Sequence, residues 1–548
     1  MSLASLIVLL VAALVESFVV GTLLFYIAAQ WWKTPQTSLR RAAGLCAALL
    51  ATSVVVPVLA WLLLWTSKGT DVTAIVVLML CFAGLLIQWN WVRIILRTNG
   101  RRAAAVFLSA SVPLVLVNTA LTTATRVLFA EGFIVPTGAM APTIIGAHAK
   151  RACANCGCGF NVSLSAWVAR HNNAAEPRRE EIITNCPNCR ERHVVDVKAE
   201  TIRGDRILCD KTTPTERWSL AVFVNPRDRD ENYVKRVVGL PGEAVGITGG
   251  EVFINGKLLR KGPQVAADLW LPLNDTALVA KELRDDTPRW RPREKTSGWR
   301  EQGGRWSRNA AGDGPDRLDF TGGITDFVAY NDHTPTNGYL DEHHVGDVLV
   351  SCEIADLSGS GKLGFEWRFG GASIIAELQS DGHVAMEAKG VAQWDGPNRG
   401  RAAGRLDRSL KPGDTLGFAV RDGQAYVLHN NYVAALATFE PDYFESSASI
   451  ETSDFRCRIA IAASDCSIDL RRITVHRDVY YVDSEIGFEP FYGEPSQPLV
   501  LAAGECFMLG DNSARSVDSR FFGGVPTEDI LGVVRWIYWP PSRWHELQ

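Results

Sequence analysis

The sequence predicts a multidomain membrane protein: four N-terminal transmembrane helices, then a mostly β region with an inserted zinc ribbon and an inserted antiparallel β-sandwich. Apolar runs of about 20 residues, each long enough to cross the hydrocarbon core as a helix, fill residues 1–130. Paired Cys-x-x-Cys knuckles follow, and residues 269–483 hold short alternating runs separated by Gly, Asp and Asn turns. At 548 residues the chain is too long for one core. A net charge of −4 with 47 Gly and 17 Trp argues against a disordered or nucleic-acid-binding protein.

The apolar runs are Leu6 to Ala29, Ala42 to Trp65, Val72 to Leu96 and Ala103 to Leu121. The first lacks a basic region ahead of it and more runs follow, which argues against a cleavable leader. Lys33, Arg40 and Arg41 lie between the first two runs, and Arg93, Arg97, Arg101 and Arg102 between the last two. Under the positive-inside rule those loops are cytoplasmic, so the N-terminus and everything after residue 130 face outward.

Residues 150–195 contain Cys153-Ala-Asn-Cys156-Gly-Cys158 and Cys186-Pro-Asn-Cys189. Each tight turn presents two thiolates, the pattern of a structural, four-thiolate Zn²⁺ site made by Cys153, Cys156, Cys186 and Cys189. Disulfides are the competing reading outside the cytoplasm, with Cys158 as an alternative partner.

Four further segments carry a family likeness. Phe133 to Thr143 reads Phe-Ile-Val-Pro-Thr-Gly-Ala-Met-Ala-Pro-Thr. Gly-Asp-Arg-Ile-Leu and Arg217-Trp precede short apolar strands, and Tyr233-Val-Lys235-Arg236-Val-Val-Gly239-Leu-Pro241-Gly242 comes next. Gly510-Asp511-Asn512-Ser513-Ala-Arg-Ser516-Val-Asp518-Ser519-Arg520 closes the set. Together they resemble the type I signal peptidases, membrane serine endopeptidases with a serine/lysine dyad. The resemblance covers about 133–256 and 504–538 and implies a mostly β domain in two pieces, 131–268 and 484–548. It also implies the bacterial cytoplasmic membrane, contact with lipid, and exported preproteins as partners, cut after small residues in their signal peptides.

By the same resemblance Lys235 is the general base, which needs apolar surroundings to be neutral near pH 7. Ser516 would hydrogen-bond and orient its amine, and Asp518 with Arg520 would brace the site. Thr137 and the backbone N–H of residue 139 would line the oxyanion hole, and Pro136, Met140 and Pro142 would shape the strand under the substrate. The departure is Ala139, which stands where the family has its nucleophilic serine. Three readings stay open: recruitment of Thr137 from the same strand face, water activated by Lys235, or peptide binding without cleavage.

In residues 269–483, alternating runs begin at Asp347, Leu363, Ser373, Thr415, Gln424 and Cys457. This part resembles concanavalin/laminin-G jelly rolls. A glycan or protein ligand is one reading of it, with Trp290, Trp299 and Trp306 as stacking platforms; core or linker packing of these tryptophans is the commoner alternative.

Overall fold

The computed structural model describes residues 3–66, 71–164, 181–196, 201–263, 269–283, 287–309, 314–326, 343–391, 394, 400–440, 456–482 and 498–547. Two compact units emerge, Met1–Glu131 with Asp210–Thr213, and Gly132–Cys209 with Pro214–Gln548.

The first unit contains α1 (Leu3–Trp31), α2 (Leu39–Thr66), α3 (Asp71–Ile95) and α4 (Gly100–Leu128). All four apolar runs are therefore helical. Among the described residues α4 alone passes as long and apolar enough to cross a membrane, with Val15–Trp31 a shorter apolar stretch. α1 packs on α2 and α4, and α2 on α3. Small residues, Ala28, Ala29, Ala42, Ala103 and Ala110, fill the contact and let the helices approach closely. Large apolar side chains such as Ile27, Leu108 and Leu116 point outward and are exposed.

In the second unit, the main sheet runs in the order Ala130–Ile134, Arg206–Asp210, Ile530–Trp539, Leu220–Val224, Asn232–Gly239, Glu505–Leu509, Val525–Pro526. Its neighbours therefore come from both ends of the sequence. A small sheet, Lys257–Leu258, Glu251–Ile254, Ala244–Thr248 and Leu499–Val500, stands beside it.

Between these two pieces the chain folds into a sandwich of two antiparallel sheets. One is built around Ser467–Arg477, Val348–Ser358 and Thr415–Arg421, the other around Arg458–Ser464, Lys362–Phe369 and Ala372–Gln379. Strict alternation drives this: Val348–Ser358 buries every second residue over most of its length, so its apolar face meets the other sheet. Phe365 and Phe418, one from each sheet, stack with ring centroids 5.9 Å apart.

Of the two readings of the tryptophans, core packing is the one the fold takes. Trp290, Trp299 and Trp306 are only 3%, 1% and 5% exposed and belong to the sandwich core. Trp299 spends its indole N–H on the Asp316 carbonyl. Composition cannot tell a stacking platform from core packing; the strand register decides it.

Candidate functional site

Lys235 sits on the strand Asn232–Gly239, directly opposite Ala221 of the neighbouring strand. Side chains alternate across a strand, so Lys235 shares its face with Tyr233 and Val237, while Val234 and Val238 point the other way. That face joins a cluster of Ala221, Phe223, Val237, Met508 and Val525. The ammonium lies 5.5 Å from the Tyr233 ring centroid. Only 4% of the residue is exposed. Burial pulls its pKa down from 10.5 to about 8, against the partial restoring pull of the Asp518 charge.

Asp518 and Arg520 are both fully buried. Arg520 donates Nε to one Asp518 oxygen and Nη2 to the other, each at 2.9 Å. Its remaining donors reach the Val482 carbonyl at 2.7 Å and the Ser513 carbonyl at 2.7 Å. Asp518 also accepts from the Gly510 amide at 3.0 Å. This network holds the turn that carries Ser516.

Ser516 departs from expectation. Its hydroxyl is buried and has no hydrogen-bond partner among the described residues, so the anticipated bond to the Lys235 amine is not made. It is wedged against Gly510: a Cβ there would lie 2.1 Å from Ser516 Oγ and 2.7 Å from the Ala139 carbonyl oxygen. The serine therefore stands close to residue 139 and is held by packing.

Phe133 to Thr143 is not a continuous strand. The strand ends at Ile134, and residues 137–144 form turns. Thr137 thus does not share a strand face with Ala139; both Thr137 and Pro136 are exposed, and Ala139 and Pro142 are half-buried. Met140 is 1% exposed and packs with Val135, Ile144, Ile207 and Val222, so it anchors the turn from below and offers no surface to a ligand. The Ala139 amide makes no hydrogen bond among the described residues.

Sequence reasoning missed what ties the turn to the Gly510–Arg520 box. Asn512 donates its amide to the Ala139 carbonyl and its side-chain N–H to the Gly138 carbonyl, both at 3.0 Å. Thr143 donates to Asp511 at 2.5 Å, and Asp511 is gripped by Arg236 through bonds of 2.7 and 2.6 Å. Arg236, on the opposite face from Lys235, is 1% exposed. The Lys-Arg pair in one strand thus serves two purposes, a buried amine on one side and a structural ion pair on the other. The adjacency of Asp511 and Asn512 in the motif was the available signal.

Cys153, Cys156, Cys186 and Cys189 come together on two hairpins, with every Sγ within 4.8 Å of the others. Cys158 lies outside this group; its thiol faces the Gly159 carbonyl.

The chain thus has a unit of four helices and a unit with a β domain that holds a buried lysine. The family described as "Signal peptidase, peptidase S26" matches residues 189–284 and 468–539, spans that include Lys235, Ser516, Asp518 and Arg520 and stop short of Ala139. The "Probable signal peptidase I-1" of Synechocystis sp. is 26% identical over 140 residues, 25% of this chain and 69% of that protein. The "Probable signal peptidase I" of Mycobacterium leprae is 28% identical over 81 residues, so this chain spans only 28% of its length. Among solved structures, the carbohydrate-binding module CBM66 from Bacillus subtilis covers 34% of this chain and 94% of that chain at 9% identity, with a TM-score of 0.21 that carries no functional weight. Over these spans the chain is similar to type I signal peptidases.

Proposed function

We infer that this protein binds the signal-peptide region of exported preproteins in a signal-peptidase-type groove and does not cut them by the serine/lysine route. The observation that carries this reading is Lys235: a buried amine whose pKa is pulled down to about 8 lies near the buried Asp518–Arg520 pair, in a chain that has a methyl group at residue 139. A methyl group offers no proton to abstract and no lone pair to attack a carbonyl. Loss of a serine nucleophile costs on the order of a million-fold in turnover in a well-studied protease. The unbonded Ala139 amide and the exposed Thr137 hydroxyl remain available to a peptide carbonyl, and that interaction needs no nucleophile.

The helical unit is the membrane anchor. Its four helices are 29, 28, 25 and 29 residues long, and the outward-facing Ile27, Leu108 and Leu116 suit lipid. With all four helices spanning, the positive-inside rule would put both the N-terminus and the β domains on the outer side of the cytoplasmic membrane.

The test uses the full chain in detergent with a labelled preprotein peptide carrying an Ala-x-Ala site. Fluorescence anisotropy should report saturable binding while the peptide stays intact, and Ala139→Ser should convert binding into cleavage at that site. Absence of binding to either form would overturn the reading.

A further inference from the structure

We propose that Cys153, Cys156, Cys186 and Cys189 bind one Zn²⁺, and that this ion's work is to hold two asparagine side chains that clamp the segment entering the β-sandwich.

The thiols already have the spacing a tetrahedral metal requires. Zn–S bonds of about 2.3 Å place sulfurs about 3.8 Å apart. Cys153 and Cys189 stand 3.5 Å apart, and Cys156 and Cys186 3.6 Å. Both separations are far too long for a disulfide, whose S–S bond is about 2.05 Å.

The two knuckles are built alike. His148–Ala152 and Gly159–Ser163 form one hairpin, Glu181–Asn185 and Arg192–Asp196 the other. In the first, Gly157 N–H returns to the Cys153 carbonyl at 2.8 Å; in the second, Arg190 N–H returns to the Cys186 carbonyl at 2.9 Å. Gly157 and Arg190 both adopt positive φ, 76° and 65°, which turns each loop back and leaves its sulfurs inward.

The third residue of each knuckle is asparagine, and neither faces solvent: Asn155 is 8% exposed and Asn188 6%. Asn155 accepts from the Glu282 amide at 2.8 Å and donates to the Glu282 carbonyl at 2.9 Å. Asn188 accepts from the Asp275 amide at 2.8 Å and donates to the Leu278 carbonyl at 2.9 Å. Each side-chain amide therefore plays the part of a strand backbone toward the segment 275–282. Lys281 adds its amine to the Ala154 carbonyl at 2.9 Å. This segment continues directly from Leu271–Asp275, which pairs with Ser467–Arg477 of the sandwich. Knuckle geometry thus sets the position of the sandwich's entering strand, and knuckle geometry is what the metal would fix.

The experiment uses the full chain purified in detergent. Elemental analysis should find about one zinc per chain, lost in Cys186→Ser, and Co²⁺ exchanged into the site should give the absorption of a tetrahedral thiolate complex. Trypsin cutting after Lys281 should accelerate about tenfold or more when zinc is stripped, and slow again on adding zinc back. The double variant Asn155→Ala with Asn188→Ala should keep its zinc yet show the fast cutting. Mass spectrometry finding a metal-free chain with these thiols paired as disulfides would overturn the metal site. Unchanged cutting at Lys281 after zinc removal, or in the asparagine variant, would overturn the clamp.

Discussion

Asn512 holds Ala139 by its backbone: its amide donates to the Ala139 carbonyl at 3.0 Å while its side chain secures the Gly138 carbonyl at the same distance. Residue 139 is therefore positioned by main-chain bonds that do not depend on its own side chain. A serine placed there inherits a fixed location next to Ser516. Ala139→Ser should accordingly gain cleavage of a preprotein peptide by several orders of magnitude, and the gain should vanish in Ala139→Ser with Lys235→Met. Activity that survived the loss of Lys235 would separate the lysine from the chemistry.

Lys235 gives that gained activity a pH signature. Its amine must be neutral to accept a proton, and its pKa lies near 8, so cleavage by Ala139→Ser should rise through about pH 8 and level off above it. Stability should follow the same group in the unaltered chain. A lysine with a folded pKa below its unfolded one weakens the fold wherever it is forced to carry charge. The cost is fully present below pH 8 and is relieved as pH climbs toward 10.5. Lys235→Met should therefore raise the melting temperature at pH 6.5 and raise it less at pH 10.

Gly510 is the point where the box and the turn meet. A Cβ at this residue would stand 2.1 Å from Ser516 Oγ, 2.5 Å from Ser516 Cβ and 2.7 Å from the Ala139 carbonyl oxygen, and rotating the hydroxyl away leaves the last two contacts in place. Gly510→Ala should cost about 1 to 3 kcal/mol in denaturant unfolding and weaken peptide binding. Unchanged binding would show that the contact is not needed to shape the groove.

Much of this site was legible because a short motif carries its own chemistry. The roles expected of Lys235, Asp518 and Arg520 come from the family resemblance of their motifs; taken alone, Lys235 reads as readily as a surface lysine on an edge strand. The hydroxyl of Ser516 was assigned a partner that the fold does not give it, since residue type does not reveal direction. The links between Thr143 and Asp511, and between Asn155 and Glu282, join residues 368 and 127 positions apart, so no local pattern announces them. The sandwich strands were visible as alternation, whereas the burial of Trp290, Trp299 and Trp306 follows from which face each strand turns inward.

Arg520 closes the fold around the catalytic-type turn by donating to both oxygens of Asp518, the carbonyls of Val482 and Ser513 and the Ser513 hydroxyl. Arg520→Met would strand the Asp518 carboxylate in a fully buried place, a loss of about 3 to 5 kcal/mol. Arg520→Lys should recover little of it, because one ammonium cannot reproduce the planar fork. Chemical denaturation of the three forms measures both effects; a lysine variant as stable as the parent would show that charge alone suffices.

Asp347, at the seam between the sandwich and the small sheet, supplies an opposite pH dependence. Glu251, Asp347 and Asp422 bring their carboxylates within 4.8 Å of one another, with Lys261 bonded to Asp422 at 2.6 Å and lying 3.0 Å from Asp478. Burial first, and then the charges of Asp422 and Asp478, push Asp347 up to about 8. An acid with a raised folded pKa stabilises fully below its ordinary value of 3.8, and this contribution drains away as pH rises to about 8. Asp347→Asn keeps an acceptor for the Asp422 amide, now bonded at 2.6 Å, and removes the charge. It should therefore stabilise the protein at pH 8.5, with the gain shrinking toward pH 4. Thermal melts of parent and variant across that interval test the sign, and a gain that grew on acidification would mean that Asp347 is held ionised by Lys261.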